Sequence, residues 1–260
     1  MTDGPLAGRK VLVVGAGTRH LDDPEAPVGN GRAIAVVAGR AGAVVACADI
    51  DTDAARFTAA LVEAEGATAH VLTADVTDAD ACATLVAEAE ATMGGLDGLV
   101  CNVGVGAGMG LSGTTPEQWD ATFAVNVRSH FLLAAAALPR MPEGGSIVFI
   151  SSIAGLMPGS RIPAYDSSKS ALTGLCRQVA AEGARRGVRA NVVAPGLIDT
   201  PLGRVATGGR PSRAKAPVPL GRQGTAWEVA EPVVFLLSDA ASYITSQLLA
   251  VDGGLTGCRG

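Results

Sequence analysis

Aromatic residues and lysine are scarce in this sequence. Only 3% of its 260 residues are Phe, Trp or Tyr, and the two tyrosines are Tyr165 and Tyr243. The three lysines are Lys10, Lys169 and Lys215, so the other 17 of the 20 basic residues are arginine. A hydrophobic core must therefore consist mainly of Ala, Val, Leu and Ile, and each tyrosine or lysine is informative as an individual residue.

Other absences disfavour several protein classes. The longest uncharged stretch, Gly98–Pro116, is broken by glycine, serine and threonine, whereas a membrane-spanning helix needs about 20 mostly apolar residues. The amino-terminal segment lacks the basic start and apolar run of a signal peptide, so we expect a cytoplasmic protein. A net charge of −5 argues against nucleic acid as a partner. The five cysteines form no C-x-x-C pair and the three histidines lack ligand spacing, so we expect reduced thiols and no metal site.

Short apolar runs alternate with longer alanine-rich segments along the chain. This is the βαβ pattern of a parallel sheet, and strands that are apolar at consecutive positions are typical of burial on both faces. We therefore predict one α/β domain over residues 1–260, a Rossmann-type doubly wound parallel sheet of about seven strands with helices on both faces. The predicted strands are Lys10–Val14, Ala43–Ala48, Thr68–Ala74, Leu96–Cys101, Ser146–Ser151, Arg189–Val193 and Gln247–Val251. The predicted helices are Gly31–Arg40, Asp53–Glu65, Asp78–Met93, Pro116–Leu138, Ala164–Arg186 and Ala226–Ser238, and the irregular stretches are Gly17–Val28 and Pro201–Pro219.

Glycines cluster at the first strand-to-helix turn, in the segments Gly15–Gly17 and Gly29–Gly31. Glycine lets backbone N–H groups approach a pyrophosphate, whose charge is favoured by a helix N-terminus; a plain tight turn is the alternative. Asp49 ends the second predicted strand, where a carboxylate accepts hydrogen bonds from the adenosine ribose and repels the extra phosphate of NADP. These residues predict an NAD site, while Arg19 in the preceding loop would favour NADP, the less favoured cofactor.

Tyr165 and Lys169 lie four residues apart, so on a helix their side chains project from one face. A free tyrosine has a pKa of about 10 and is a poor base at neutral pH, but a neighbouring ammonium favours the phenolate. Such a phenol can exchange a proton with an alcohol or carbonyl oxygen. Ser152 ends the preceding strand, where its hydroxyl can hold the same oxygen. These three residues predict an acid–base site for alcohol or carbonyl chemistry.

With these motifs the sequence resembles the short-chain dehydrogenase/reductase family nearly end to end. Ser152 and the Tyr-x-x-x-Lys pattern match the family's catalytic triad, and Asn126 matches its fourth member. The segment Cys101–Gly104 is similar to the N-N-A-G motif, with cysteine in place of the first asparagine, which removes a hydrogen bond that normally ties adjacent strands. The family's phosphate loop, T-G-x-x-x-G-x-G, is matched only with about ten residues inserted between Gly17 and Gly29. This acidic insertion forms either a flap beside the adenosine half of the site or an ordinary surface loop.

The resemblance implies roles for individual residues. Asp75 would contact the adenine amine, and Asn126 would interrupt its helix and hold a water that links Lys169 to solvent. The backbone of Ile198 and the hydroxyl of Thr200 would fix the nicotinamide amide. The implied catalytic residues are Asn126, Ser152, Tyr165 and Lys169. The implied cofactor-binding residues are Gly15, Gly29, Asn30, Gly31, Asp49, Ile50, Asp75, Val76, Asn102, Gly104, Tyr165, Lys169, Pro195, Gly196, Ile198 and Thr200.

The sequence thus predicts an NAD-dependent oxidoreductase that interconverts an apolar secondary alcohol and a ketone, with Tyr165 as the general acid/base, in a homotetramer. One alternative is a non-catalytic NAD-binding regulatory protein on the same fold, and another is an NADP-dependent carbonyl reductase of the 3-oxoacyl type. Reduction of a carbon–carbon double bond is disfavoured because related enoyl reductases space Tyr and Lys more widely. Residues that follow strand ends are predicted to line the substrate pocket: Met109, Leu156, Met157 and Leu197. Basic residues of the second irregular stretch would either recognise an acidic substrate or form a solvated loop: Arg204, Arg210, Arg213 and Lys215.

Overall fold

The structure is a computed structural model that describes residues 4–18, 26–208 and 218–258. Its centre is a seven-stranded parallel sheet, as the sequence predicts. In chain order its strands are β1 (Lys10–Val14), β2 (Val44–Asp49), β3 (Ala69–Thr73), β4 (Gly98–Cys101), β5 (Ser146–Ile150), β6 (Arg189–Pro195) and β9 (Leu248–Val251). The intervening strands β7 (Ile198–Asp199) and β8 (Gly224–Thr225) form a separate small sheet. The order across the seven-stranded sheet is β3-β2-β1-β4-β5-β6-β9. The strand order reverses between β1 and β4, because β2 and β3 lie on one side of β1 and the later strands lie on the other. In such sheets ligands bind at the carboxyl ends of the strands, beside this switch point.

Helices connect the strands and cover both faces of the sheet. They are α1 (Asn30–Arg40), α2 (Thr52–Ala64), α3 (Ala79–Met93), α4 (Pro116–Phe123), α5 (Ser129–Ala137), α6 (Pro163–Gly183), α7 (Pro201–Gly208) and α8 (Ala226–Leu237). Side chains of Asp51, Asp78, Thr115 and Thr225 cap α2, α3, α4 and α8 by accepting hydrogen bonds from their first backbone N–H groups. These polar caps explain why the helices begin where they do. Among the described residues, no helix is long and apolar enough to cross a membrane.

The core consists of two apolar layers, one on each face of the sheet. Val11 and Val13 of β1 face the layer that includes residues of α1 and α8. Leu12 and Val14 face the other layer, to which α3, α5 and α6 contribute. Because side chains alternate along a strand, burial on both sides requires apolar residues at consecutive positions.

The predicted bounds of the strands and most helices agree with the structure to within three residues. The predicted helix Pro116–Leu138 is wrong as a single regular helix, because a π-helical turn at Ala124–Arg128 separates α4 from α5. The prediction of an irregular stretch over Pro201–Pro219 is wrong for its first part, because Pro201–Gly208 forms α7. A two-stranded parallel sheet, β7 (Ile198–Asp199) with β8 (Gly224–Thr225), was not predicted from the sequence. Strands of two residues carry too little periodicity to be detected.

Candidate active site

Glycines shape the turn between β1 and α1 at the switch point. Gly15 has a φ of +82°, which L side chains rarely adopt. A Cβ on Gly31 would lie 1.8 Å from the Gly15 carbonyl oxygen and 2.6 Å from Asn102 Nδ2, so only glycine fits there. The Asn102 amide donates to the Gly15 carbonyl oxygen (2.8 Å). Although Cys101 replaces the first asparagine of the motif, Asn102 thus ties the end of β4 to the turn after β1.

The N-terminus of α1 suits an anionic ligand. Its N-cap, Gly29, has no side chain, and its first turn contains no acidic residue, in contrast to the side-chain-capped helices α2, α3, α4 and α8. Its first backbone N–H groups therefore lack a side-chain acceptor. Asn30 Oδ1 is buried without a hydrogen-bond partner. Asn30 Oδ1 is an acceptor, so the donor set that fits the pyrophosphate of a dinucleotide consists of the glycine turn and these backbone N–H groups.

Asp49 lies at the end of β2 and lines the same cleft as the glycines of the turn between β1 and α1. Its Oδ2 accepts from the Gly17 N–H (2.8 Å) and its Oδ1 from the Asp51 N–H (3.1 Å). These backbone donors preorganise the Asp49 carboxylate, which retains free acceptor capacity. Arg32 lies nearby, and its guanidinium stacks 4.6 Å from the Phe57 ring centroid. Burial lowers the pKa of Arg32, and the negative charge of Asp49 partly opposes this lowering.

Asp75 follows β3 and lines the cleft beside Val76. One carboxylate oxygen accepts from both the N–H (2.9 Å) and the hydroxyl (2.7 Å) of Thr77. These hydrogen bonds lower the pKa of Asp75, and the bond from the Thr77 backbone contributes most. The carboxylate is therefore ionised and fixed as an acceptor at the predicted position.

The ends of the segment Gly17–Val28 meet at the mouth of the cleft. Gly29 N–H donates to Thr18 Oγ1 (3.0 Å), so the chain returns to the point at which it left the turn. Residues 19–25, which include Arg19 and most of the predicted flap, lie outside the described residues.

Lys169 lies at the centre of the site and is almost completely buried. Its Nζ donates to the Ile150 carbonyl oxygen (3.0 Å) at the end of β5 and lies 5.7 Å from the centroid of the Tyr165 ring. Burial lowers the pKa of Lys169 to about 8, because the charged ammonium is deprived of water. A Cβ on Gly104 would lie 3.0 Å from Nζ, so glycine after β4 leaves space for the ammonium group.

Tyr165 and Lys169 therefore lie together, as their spacing in α6 predicts. Ser152, two residues after the end of β5, is partly buried, and its hydroxyl oxygen accepts from the Ala154 N–H (3.2 Å). This leaves the Ser152 hydroxyl hydrogen available to an oxygen in the cavity.

Two neighbouring cavities meet at Tyr165. The first, of about 480 Å³, runs from the glycine turn past Asp49 and Asp75 to Lys169. The second, of about 570 Å³, is lined by Ser152 and mostly apolar residues. Both share Asn30, Gly104, Val105, Ser151, Tyr165, Thr200 and Leu202. The elongated first cavity fits a dinucleotide, and the second can hold a substrate against the phenol.

Comparisons with known proteins give the same picture. The model of the family described as enoyl-(acyl carrier protein) reductase matches residues 27–256. A relative from Xanthobacter autotrophicus, 2-(S)-hydroxypropyl-CoM dehydrogenase 3, is 42% identical over 236 residues, which are 88% of this chain and 92% of the relative. The chain belongs to the short-chain dehydrogenase/reductase family. It is accordingly an oxidoreductase of alcohol and carbonyl groups with a nicotinamide dinucleotide site.

Two further members of this family are informative. An inactive 2-(S)-hydroxypropyl-CoM dehydrogenase 2, also from Xanthobacter autotrophicus, is 43% identical and covers 84% of this chain and 96% of its own. The crystal structure of a short-chain dehydrogenase/reductase from Burkholderia xenovorans has a TM-score of 0.92 and 33% identity, and the match covers 99% of this chain and 100% of that one. The overall fold is thus that of the family.

The structure brings together nearly all residues that the family resemblance singled out. Every implied cofactor-binding residue lines one of the two cavities. Met157 and Leu197 line the second cavity as predicted, whereas Met109 and Leu156 are absent from both linings. Met109 instead pairs with Gly113 in an isolated β-bridge. Arg210, Arg213 and Lys215 lie outside the described residues, and Arg204 forms an ion pair with Asp199 (2.9 Å).

Sequence reasoning missed Arg161, Ile162 and Leu255, which also line the second cavity. Arg161 and Ile162 directly precede α6, four and three residues before Tyr165. Their closeness to Tyr165 in the sequence could have indicated that they lie at the substrate site. For Leu255 there was no such signal, since the C-terminal segment reaches the cavity through tertiary packing.

Asn126 lies in the π-helical turn and is completely buried. Its Oδ1 accepts from the Val105 N–H (2.8 Å), while Nδ2 donates to the Val105 carbonyl oxygen (2.8 Å) and to Ser168 Oγ (2.9 Å). Asn126 therefore joins the loop after β4 to α6, which carries Tyr165 and Lys169. A π-helical turn at a functional site is common in proteins.

We expect Asn126→Ala to lower the free energy of unfolding by about 2–4 kcal/mol, because it leaves the partners of these hydrogen bonds unsatisfied. Urea unfolding measures this change. Asn126→Asp keeps the acceptor but places a buried carboxylate oxygen against the Val105 carbonyl oxygen, so it should not recover the loss. A change below about 0.5 kcal/mol in Asn126→Ala would contradict this account of the residue.

Proposed function

We propose that this protein is an NAD-dependent oxidoreductase that interconverts a secondary alcohol and a ketone, with Tyr165 as the general acid/base. The observation that carries the proposal is the position of Tyr165, which lines both cavities beside the buried Lys169. A phenol at the junction can reach a substrate oxygen on one side while the cofactor occupies the other. NAD supplies a hydride acceptor or donor when it is bound.

In the oxidation direction, the Tyr165 phenolate accepts the hydroxyl proton of the alcohol as the carbonyl forms. In reduction, the phenol returns the proton to the carbonyl oxygen. Lys169 lies beside the ring, and its positive charge stabilises the phenolate. The Ser152 hydroxyl donates a hydrogen bond to the reacting oxygen while negative charge develops there. The apolar walls of the second cavity favour the apolar part of the substrate and exclude water.

The test is a spectrophotometric assay of NADH formation with secondary alcohols and of NADH consumption with ketones. The panel includes 2-(S)-hydroxypropyl-CoM, because a relative with that activity matches most of the chain. We expect turnover with members of the panel. Cofactor binding without turnover on the whole panel would contradict the proposal and favour a non-catalytic nucleotide-binding protein.

The non-catalytic alternative has a specific observation in its favour, since one relative is named as inactive. The complete set of Ser152, Tyr165 and Lys169 favours activity, because a protein that only binds a nucleotide has no need for an activated phenol. A carbonyl reductase of the 3-oxoacyl type would instead prefer NADPH, and the same assay distinguishes it.

We propose NAD as the preferred cofactor because Asp49 places a carboxylate where the adenosine ribose binds. The charge of Asp49 would repel the 2′-phosphate of NADP, whereas its free acceptor capacity suits ribose hydroxyls. We expect Asp49→Asn to change the ratio of kcat/KM for NADP to that for NAD by about 100-fold in favour of NADP. The amide oxygen can still accept from the Gly17 N–H, whereas the amide nitrogen cannot accept from the Asp51 N–H, so the change removes the charge and one exposed hydrogen bond.

The matched control is Asp51→Asn, which neutralises a neighbouring carboxylate that caps α2 and is absent from the lining of both cavities. Its cofactor ratio should remain within about threefold of the unmodified protein. A wild-type preference for NADPH, or equal effects of the two substitutions, would refute the assignment of Asp49.

Three further parts of the sequence prediction remain proposals: residues 1–260 as one domain, the inserted segment as a flap, and a homotetramer. Exposed aromatic side chains support association of subunits, since Trp119 in α4 and Phe131 in α5 are 37% and 53% exposed. Large apolar side chains at the surface are typical of subunit interfaces.

A further inference from the structure

Arg161 is a cation at an otherwise apolar cavity. It lines the second cavity together with Met157, Ile162 and Leu202. Among the described residues that line this cavity there is no aspartate or glutamate, and Arg161 is the one arginine or lysine. Arg161, an exposed residue, is therefore the cation in the described lining of the second cavity, separate from Lys169 in the first cavity.

No described carboxylate neutralises Arg161. Arg9, Arg40, Arg56, Arg140, Arg204 and Arg222 each form an ion pair with an acidic side chain. Arg161 forms no such pair within residues 4–18, 26–208 and 218–258, and its one hydrogen bond there uses its backbone carbonyl oxygen. Its five N–H donors thus remain available to a ligand.

The backbone holds Arg161 in an unusual conformation. Its φ is +62°, a region that non-glycine residues seldom occupy. Gly110 N–H donates to its carbonyl oxygen (2.9 Å), and the Ile162 N–H donates to Ser160 Oγ (2.9 Å). Hydrogen bonds on both sides therefore fix the backbone of this cavity-lining residue.

We propose that Arg161 binds an anionic group of the substrate, so that the preferred substrate is a hydroxy or oxo compound with a carboxylate, sulfonate or phosphate remote from the reacting carbon. The proposal rests on the function proposed above and specifies its substrate class. A guanidinium pairs with such anions through two parallel N–H···O hydrogen bonds. The substrate would then lie between Arg161 and Tyr165, with its apolar chain against the walls.

Binding is measured first, with probes that cannot react. The full chain, saturated with NAD⁺, is titrated calorimetrically with 4-oxopentanoate and with 4-oxopentanamide, which have the same number of heavy atoms. A ketone cannot be reduced by the oxidised cofactor, so the titration reports affinity alone. We expect the carboxylate to bind about 30-fold more tightly than the amide. The compounds 3-oxobutane-1-sulfonate and 3-oxobutyl phosphate then identify which anion is preferred.

Variants separate charge from shape. Arg161→Gln should weaken binding of 4-oxopentanoate about 30-fold and that of the amide less than threefold. Arg161→Lys should retain part of the preference for the anion, because it keeps the charge but loses the two-pronged geometry. Arg56→Gln is the matched control, since Arg56 is exposed in α2 and absent from both cavity linings. Circular dichroism and melting temperature verify that each variant is folded.

The outcomes are distinguishable from those that test the proposed function. If the anions bind selectively through Arg161 but no hydroxy or oxo compound is turned over, the anion-binding role of Arg161 stands and the proposed function fails. If neutral ketones are reduced with NADH as efficiently as anionic ones, and Arg161→Gln affects both alike, the function stands and the inference is overturned. Equal affinity for amide and carboxylate, or no measurable binding of any anionic ketone, also overturns it.

Discussion

Tyr165→Phe is expected to lower kcat about 10²- to 10⁴-fold for any alcohol or ketone that the protein turns over. The substitution removes one oxygen atom and keeps the ring that lies beside Lys169. Tyr165 is one of seven residues that line both cavities, and it is the one proposed as the acid/base, so loss of its hydroxyl leaves the reacting oxygen without its proposed proton donor or acceptor. Cofactor affinity should change little, because Lys169 and the glycine turn remain. Initial rates and the dissociation constant of NADH measure the two effects.

The chain provides a matched control for this experiment. Tyr243 is the other tyrosine and is completely exposed, so Tyr243→Phe should leave kcat unchanged. Full activity in Tyr165→Phe would refute the assignment of the general acid/base. A loss of cofactor binding as large as the loss of rate would show that Tyr165 acts through the fold rather than through proton transfer.

Lys169→Met is expected to stabilise the ligand-free protein while it abolishes most of its activity. Burial lowers the pKa of Lys169 from 10.5 to about 8, so the folded state binds this proton less tightly than the unfolded state does. The difference corresponds to about 3 kcal/mol of lost stability at pH 7. Methionine has a similar length and avoids this cost, but it loses the hydrogen bond to Ile150, which is worth about 1 kcal/mol. The free energy of unfolding should therefore rise by about 2 kcal/mol, while kcat falls about 10²-fold or more because the charge beside the phenol is absent.

The pH dependence tests the physical cause. Below pH 8 the lysine is protonated in both states, and the folded protein bears the full cost of the buried charge. Between pH 8 and 10.5 the folded state loses the proton while the unfolded state keeps it, so the stability of the wild type rises with pH relative to the variant. Urea unfolding of both proteins at pH 7 and pH 9.5 should show that the difference in their free energies of unfolding is smaller at the higher pH.

Lys10→Met controls for the general effect of replacing a lysine, since Lys10 lies at the start of β1 and is absent from both cavity linings. A Lys169→Met protein that is less stable than the wild type at pH 7 would contradict the expected cost of burial. A gap that stays constant with pH would do the same. The first result would mean that the Nζ contacts outweigh the desolvation of the ammonium group, and the second that the pKa of Lys169 is the same in the folded and unfolded states.

Periodicity and motif spacing in the sequence predicted most of the sheet and the central pair of side chains. Strands such as Ser146–Ile150 are apolar at consecutive positions, and a four-residue spacing places Tyr165 and Lys169 on one helix face. The break in the helix at Asn126 is different in kind, since the family resemblance implies it but the local periodicity does not. Its local residues favour a continuous helix, and the π turn exists because the Asn126 side chain bonds to Val105 and Ser168, which are remote in sequence.

The sequence by itself determined the α/β architecture, the glycine turn and the pairing of Tyr165 with Lys169, the proposed acid–base pair, because each depends on local spacing. The tertiary structure decided the rest. Only packing shows that Lys169 is buried, which sets its pKa, and that the two cavities share Tyr165. It also placed Arg161 at the second cavity without a carboxylate partner among the described residues. Burial and charge pairing depend on residues brought together from distant parts of the chain, and no local pattern in the sequence encodes them.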